Sequence, residues 1–196
     1  MAGTLEFFFD YGSPFSYLAD TRLAGIAEQS GAELVYRPML LGAVLKATGN
    51  ASPMAVPAKG AYMLHDLQRW AKRYGVPFAL NPFSFRSNTL RLMRGAVASQ
   101  RHGTFDRYHG AVFAAVWRAP EDLGEEGTFR SLLERAEIDC ERFLPSVDEP
   151  QTKEELRRNT DEAIERGVFG APTFFVGGEM FWGNDRLEFV ERALRA

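Results

Sequence analysis

The segment LEFFFDYGSPFSYLA (5–19) constrains the fold most, because a buried strand passes almost directly into a helix. Its Phe-rich run LEFFFD (5–10) predicts a short buried strand. Pro14 suits the first position of a helix, where its missing N–H costs nothing. The apolar face of that helix recurs every three or four residues, at Phe15, Ala19, Leu23 and Ile26. ELVYRP (33–38) predicts a second strand, so the chain opens as a parallel βαβ unit.

Helical patterns dominate the middle of the chain, and we find no strand signal between about residues 43 and 167. One stripe at helical spacing joins Met63, Leu67, Trp70, Ala71 and Tyr74. The further helical segments are 87–101, 104–118, 128–136, 140–147 and 151–167. This long run without strands predicts an all-helical insertion.

The end of the chain returns to strands. TFFV (173–176) and EMFW (179–182) flank Gly177-Gly178, a pattern typical of a two-residue hairpin. Asp185 is then placed to cap a final helix, with Glu188 at the spacing of a capping box.

This order of elements resembles that of a thioredoxin-like domain. We therefore predict an α/β fold in which residues 1–42 and 168–196 form one discontinuous thioredoxin-like domain. Residues 43–167 form the large helical insertion, and 196 residues are enough to bury a sizeable core.

Composition excludes several classes of protein. Cys140 is the single cysteine, so the chain has neither an internal disulfide nor a Cys-x-x-Cys redox centre. The net charge of -3 is not the basic footprint of a nucleic-acid binder. Met1 to Gly12 lacks the basic start of a signal peptide, and no apolar stretch is long enough to span a membrane. We expect a cytoplasmic protein that binds neither nucleic acid nor membrane.

Ser13 is the first candidate for chemistry. It follows a strand and precedes a helix, where free N–H groups and the positive end of the helix dipole stabilise anions such as a thiolate. Its hydroxyl could donate a hydrogen bond to a bound sulfur anion. The alternative is that Ser13 only caps the helix, because serine is a preferred N-cap residue.

Two further motifs admit both a structural and a functional interpretation. Ala171-Pro172 comes directly before a strand, where proline is ordinary, but a cis peptide bond there would expose the backbone of Ala171 to a peptide-like ligand. Asn184 and Asp185 lie at a helix start, where they can cap the helix or hold an amino-acid head group.

The order of these motifs resembles the 2-hydroxychromene-2-carboxylate isomerases, which are relatives of kappa-class glutathione transferases and of disulfide oxidoreductases with a helical insertion. The resemblance rests on residues 7–19, 37–50, 56–78 and 167–188 and on their order, and it covers essentially the whole chain. In this family a serine stands where the redox relatives carry their attacking cysteine. The resemblance implies that Ser13 is the catalytic residue and activates a thiol borrowed from glutathione.

The resemblance also implies the other site residues. Residues matching the glutathione site are Ser13, Phe15, Asn50, Lys59, Ala171, Pro172, Asn184 and Asp185. Of these, Ala171 would pair with the cysteinyl backbone beside a cis Pro172, Asn184 and Asp185 would take the γ-glutamyl end, and Lys59 would lie near the glycyl carboxylate. Candidate walls for a flat aromatic acid are Tyr62, Phe83, Phe85 and Trp182, each of which can equally be core packing.

Three functions stay open at this point. The first is a glutathione-dependent cis–trans isomerase of an aromatic acid, which the resemblance implies to act as a homodimer. The second is a kappa-like transferase or peroxidase that consumes glutathione, and the third is a cysteine-less binding module. The histidines at 65, 102 and 109 show no metal-ligand spacing, so we interpret them as surface or packing residues and predict no metal site.

Overall fold

The computed structural model describes residues 3–83 and 89–196, in which four strands form one mixed sheet. The strands are β1 (Thr4–Phe9), β2 (Glu33–Pro38), β3 (Thr173–Val176) and β4 (Glu179–Trp182). Their spatial order is β2-β1-β3-β4. β1 runs parallel to β2 and antiparallel to β3, and β3 pairs with β4 as an antiparallel hairpin.

β1 is an inner strand of this sheet and is buried on both faces. Leu5, Phe7, Phe8 and Phe9 have no exposed surface. In register, Phe7 lies beside Tyr36 of β2 and Phe174 of β3. A strand covered on both sides reads as a continuous apolar run, which explains why the sequence shows no alternation there.

The crossover from β1 to β2 is α1 (Pro14–Ser30). Ser13 caps its first turn, and Gly31 ends it in the left-handed conformation that glycine adopts without steric cost. α1 therefore begins directly at the end of the buried strand, as the sequence predicts.

Helices make up the chain between β2 and β3, and the described residues of this stretch contain no strand. They are α2 (Leu41–Thr48), α3 (Pro57–Tyr74), α4 (Thr89–His102), α5 (Phe105–Phe113), α6 (Glu126–Arg135), α7 (Cys140–Val147) and α8 (Pro150–Glu165). α5 continues as a π-helical turn, Ala114–Arg118. The α/β fold class with a large helical insertion is thus confirmed. In the part of the chain that the structure describes, none of the helices could cross a membrane.

The insertion packs on the sheet instead of standing apart from it. One hydrophobic cluster joins residues of β1, β3 and α1 to residues of α3 through α8. A smaller cluster covers the opposite face of the sheet, where Phe8 and Phe175 meet residues of α2 and α8. The division of the chain at residues 42 and 168 stays a prediction.

The start of the last helix differs from the capping box that the sequence predicts. Asn184–Arg186 forms one 3₁₀ turn, and α9 (Leu187–Leu194) begins after it. No side chain caps α9, and the Asp185 carboxylate pairs with Arg186 at 2.7 Å instead. The predicted capping role of Asp185 is therefore wrong, and its carboxylate makes no hydrogen bond to the start of α9.

Gly95 and Gly110 offer a matched test of the packing within the insertion. A Cβ atom on Gly95 of α4 would overlap the buried Tyr108 hydroxyl, whereas a Cβ on Gly110 of α5 would meet open space. We expect Gly95→Ala to lower the free energy of unfolding by about 1–3 kcal/mol through overpacking. Gly110→Ala should raise it by about 0.5–1 kcal/mol, because alanine favours a helix. Urea unfolding measures both values, and equal effects would contradict the packing described here.

Candidate active site

Ser13 lies where the first strand, the first helix and the segment before β3 meet. Its side chain is buried, and its backbone N–H donates to the Asp10 carbonyl at 3.0 Å. Its Oγ accepts from Ser16 N at 3.2 Å and donates to the Ala171 carbonyl at 3.1 Å. The cap interpretation is therefore correct but incomplete, because the same hydroxyl also contacts a residue 158 positions away.

Ala171, whose carbonyl accepts the hydrogen bond from Ser13, is joined to Pro172 by a cis peptide bond. This is the geometry that the resemblance implies. The neighbouring carbonyl oxygens accept bonds from the scaffold. Phe169 O accepts from Asn50 Nδ2 at 2.9 Å, and Pro172 O accepts from Gly183 N at 3.0 Å. Ala171 is thus the point at which this segment is bonded to the Ser13 side chain.

The backbone at Gly183 brings the predicted head-group residues beside Pro172. Gly183 has φ of 104°, and a Cβ atom there would lie 2.5 Å from Asp185 Oδ1, so only glycine fits. Asn184 follows, and its side chain is buried with no hydrogen-bond partner for Nδ2 among the described residues. A buried amide without a partner is costly, which makes Asn184 a candidate for contact with a ligand.

A cleft of about 210 Å³ borders Asn184 and Asp185. Side chains of both charge signs line it, contributed by α1, α3 and α9: Arg22, Arg73, Glu188 and Glu191. Charges of both signs suit a zwitterionic head group. A larger cavity of about 400 Å³ lies on the insertion near Ala115, and no predicted site residue lines it.

The remaining predicted cofactor residues differ in their surroundings. Asn50 is exposed but tied to Phe169, which brings the end of α2 next to the Ala171 segment. Lys59 lies in the first turns of α3 and is exposed. Phe15 is half-buried on α1 and packs against the main hydrophobic cluster. Of the three, Asn50 has a bond that links it to the site.

The predicted aromatic walls are only partly brought together. Trp182 of β4 is 48% exposed, and its ring packs on Phe169 and closely over Gly170. Tyr62 of α3 is 61% exposed. Phe83 is half-buried beyond α3, and Phe85 lies outside the described residues. Trp182 adjoins the Ala171 segment, so both its packing and its exposure fit a wall of the site.

Sequence reasoning missed Asp10, whose carboxylate supports the turn that carries Ser13. Its Oδ1 accepts from Gly12 N at 2.8 Å, and its Oδ2 accepts from Leu41 N at 2.9 Å at the start of α2. Burial raises the pKa of Asp10 to about 6, and the two N–H donors offset part of that effect. An acid at the end of a buried strand is the only signal that the sequence offers.

Cys140 and the histidines stand apart from these residues in different ways. Cys140 is buried on α7, and burial raises the pKa of its thiol. His109 is buried on α5, and both of its ring nitrogens have partners, so the packing interpretation understates its role. In residues 3–83 and 89–196, no group of three or more His, Cys, Asp or Glu side chains is arranged to hold a metal ion.

Comparison with known proteins finds relatives over almost the whole chain. The sequence profile of the DSBA-like thioredoxin domain matches residues 4–195. A 2-hydroxychromene-2-carboxylate isomerase of Sphingobium xenophagum is 34% identical over 99% of both chains. Human glutathione S-transferase kappa 1 is 28% identical over 97% of this chain and 90% of its own. A solved structure of a 2-hydroxychromene-2-carboxylate isomerase superposes with a TM-score of 0.88 at 36% identity, covering 97% of this chain and 94% of the other.

The buried carboxyl of Asp10 predicts a specific pH dependence of stability. Its pKa rises from 3.8 to about 6 on folding, so the folded state holds a proton that the unfolded state has lost between these values. Stability from this group is therefore present below pH 4 and lost as pH rises through 6. Relative to Asp10→Asn, the wild-type free energy of unfolding should fall by about 2 kcal/mol between pH 4 and pH 7.

Denaturant unfolding across this pH range measures the free energy of unfolding of both proteins. Subtracting the Asp10→Asn values from the wild-type values cancels the contributions of the titrating groups that the two proteins share. A difference that is constant with pH would contradict the raised pKa.

Proposed function

Because the chain belongs to the 2-hydroxychromene-2-carboxylate isomerases, within the DSBA-like thioredoxin domain family, and is an enzyme, we propose that it is a glutathione-dependent cis–trans isomerase. Its substrate would be 2-hydroxychromene-2-carboxylate, interconverted with trans-o-hydroxybenzylidenepyruvate, or a related aromatic acid. Such a reaction belongs to aromatic-compound catabolism, for example naphthalene degradation.

The observation that carries this proposal is the bond between Ser13 Oγ and the Ala171 carbonyl. It joins a helix N-terminus, which stabilises a thiolate, to a backbone segment that can pair with a peptide. The single thiol of the chain, Cys140, lies buried on α7. The site has the environment that stabilises a thiolate, but it carries a serine in place of a cysteine. This combination fits a thiol supplied by a bound peptide.

The hydroxyl of Ser13 is poised to change partners. Its proton points to the Ala171 carbonyl, and its lone pair accepts from Ser16 N. A peptide N–H arriving at Ala171 would take over that carbonyl and free the Ser13 O–H to donate to sulfur. A hydrogen bond to the charged form lowers the pKa of a thiol, and the helix N-terminus acts in the same direction.

Other residues fit the ends of glutathione. Asn184 has a buried amide without a partner, and the adjoining cleft carries both charge signs, which suits the γ-glutamyl head group. Asp185 would exchange its pairing with Arg186 for the ammonium group. Lys59, as an exposed cation, would meet the glycyl carboxylate. These groups orient the peptide so that its thiol reaches Ser13.

Glutathione bound here would supply a thiolate nucleophile for the conjugated double bond of the ring-opened acid and would be regenerated after the cis–trans change. The residues of this chain bind and orient. Ser13 holds the sulfur as an anion, and Trp182 and Tyr62 offer exposed aromatic surface on which a flat acid can lie.

A kappa-like transferase or peroxidase is the second candidate, because the human kappa relative matches almost the whole chain. It would use the same Ser13 site but consume glutathione. Membership of a family of enzymes argues against a binding module without activity. The cytoplasmic location and the homodimer are further proposals, the latter tested by light scattering on the purified protein.

Glutathione titration tests the role of Ser13. We expect the wild type to bind glutathione in calorimetry and to show ultraviolet thiolate absorbance at neutral pH. Ser13→Ala should still bind but raise the pKa of the bound thiol by about one to two units, since a hydrogen bond to a charged group is worth about 1.5–3 kcal/mol.

Ser99→Ala is the matched control, because Ser99 is a buried serine whose hydroxyl bonds within α4. It should leave the thiolate signal unchanged. No binding by the wild type at millimolar glutathione would overturn the proposed cofactor.

Product analysis separates the two candidate activities. With 2-hydroxychromene-2-carboxylate as substrate, the isomerase should convert many equivalents of substrate while free glutathione stays constant. Stoichiometric loss of glutathione, measured by chromatography, would favour the transferase instead.

A further inference from the structure

Tyr11 stands two residues before Ser13, and all of its polar atoms bond to residues of the helical insertion. Its N–H donates to Met93 Sδ of α4 at 3.3 Å. Its carbonyl accepts from Trp117 Nε1 of the π-helical turn at 2.7 Å. Its hydroxyl lies 3.0 Å from His109 Nδ1 of α5. The insertion therefore holds the backbone and the side chain of a residue in the turn that presents Ser13.

His109 extends this contact into a chain of three hydrogen-bonded side chains, of which Tyr11 and His109 are buried and Asp20 is partly exposed. Its Nε2 lies 2.9 Å from Asp20 Oδ1, and Asp20 lies on α1, the helix that Ser13 caps. In a neutral imidazole whose Nε2–H donates to Asp20 Oδ1, Nδ1 is the acceptor for the Tyr11 hydroxyl. Burial raises the pKa of Tyr11 well above its usual range, which keeps that hydroxyl protonated as a donor.

Aromatic rings enclose His109, the central side chain of these three, and hold it in position. The His109 ring contacts five aromatic side chains with centroids 4.7–5.5 Å away: Phe9, Tyr11, Tyr36, Phe105 and Phe113. Packing of this density leaves the imidazole one position. The hydrogen-bonded side chains Asp20, His109 and Tyr11 thus connect α1, through the insertion, to the turn before Ser13.

The turn is held from two sides. On one side Asp10 bonds Gly12 and the start of α2. On the other side His109 bonds the Tyr11 hydroxyl. A donor that must meet a sulfur at hydrogen-bond distance tolerates little movement, and a displacement of about 1 Å costs on the order of 100-fold in rate.

We propose that His109 is a positioning residue for Ser13: with Asp20 it holds the Tyr11 side chain, and through Tyr11 it sets where the Ser13 hydroxyl meets the bound thiol. This role rests on the proposed function. It does not require His109 to touch substrate or cofactor, and it assigns to the helical insertion a part in activating the thiol.

Tyr11→Phe and His109→Phe test this role, with Tyr108→Phe as the matched control. Tyr108 neighbours His109 on α5 and is equally buried, but its hydroxyl donates to Leu92 O within the insertion. Each variant is compared by thermal unfolding, glutathione affinity, thiolate absorbance and kcat against KM. All three should lose stability, so unfolding alone decides nothing.

We expect Tyr11→Phe and His109→Phe to lower kcat at least about tenfold and to reduce the thiolate fraction at neutral pH, with glutathione affinity within about threefold of wild type. Tyr108→Phe should keep the wild-type kcat and thiolate signal. If His109→Phe does not fold, Tyr11→Phe alone decides, because it removes one oxygen atom.

Wild-type kcat and thiolate fraction in Tyr11→Phe would overturn the positioning role while leaving the proposed function intact. Failure of the wild type itself to bind glutathione would overturn both. The two failures are therefore distinguished by which protein shows them.

Discussion

Burial of β1 on both faces is the constraint on which the rest of the structure depends. Its Phe side chains contact β2 on one side, β3 on the other, and helices above and below the sheet. Because the strand is an inner one and ends at Phe9, the turn that follows it must emerge at the edge of the packed core. Ser13 is therefore placed by a buried strand, and α1 begins there with the N–H of Ser16 bonded to the Ser13 hydroxyl.

This position explains why most polar groups around Ser13 have partners within the protein, although the hydroxyl of the neighbouring Ser16 is buried without one. Asp10, Tyr11 and Ser13 are all buried, so each must find partners within the protein. They find them in α2, in the insertion and in the segment before β3. The Asn184 amide nitrogen is another buried group without a partner among the described residues, and it follows Gly183, whose N–H donates to Pro172 O.

A serine at a helix N-terminus changes the chemistry of a thioredoxin-like site without changing its geometry. A cysteine there would have its thiol pKa lowered by the helix N-terminus, and its thiolate would attack disulfides by exchange. A serine hydroxyl stays protonated, so it can donate to an anion instead of being one. In the proposed function the anion would come with the ligand, and the Ala171 carbonyl, which now accepts from Ser13, would pair with the backbone of a peptide thiol.

Local periodicity and turn chemistry were sufficient to predict the strands, the helical insertion, the hairpin at Gly177-Gly178 and the position of Ser13 at a helix start. It also excluded a dithiol mechanism, since Cys140 stands alone. Local pattern failed at Asp185, where a salt bridge with Arg186 replaced the expected cap. It was silent on Asp10 as a support and on the pairing of His109 with Tyr11 and Asp20, which are 98 and 89 residues away. These contacts are visible in the folded structure alone. Hydrogen bonds between distant segments depend on how the helices pack, and no periodic pattern in the sequence signals them.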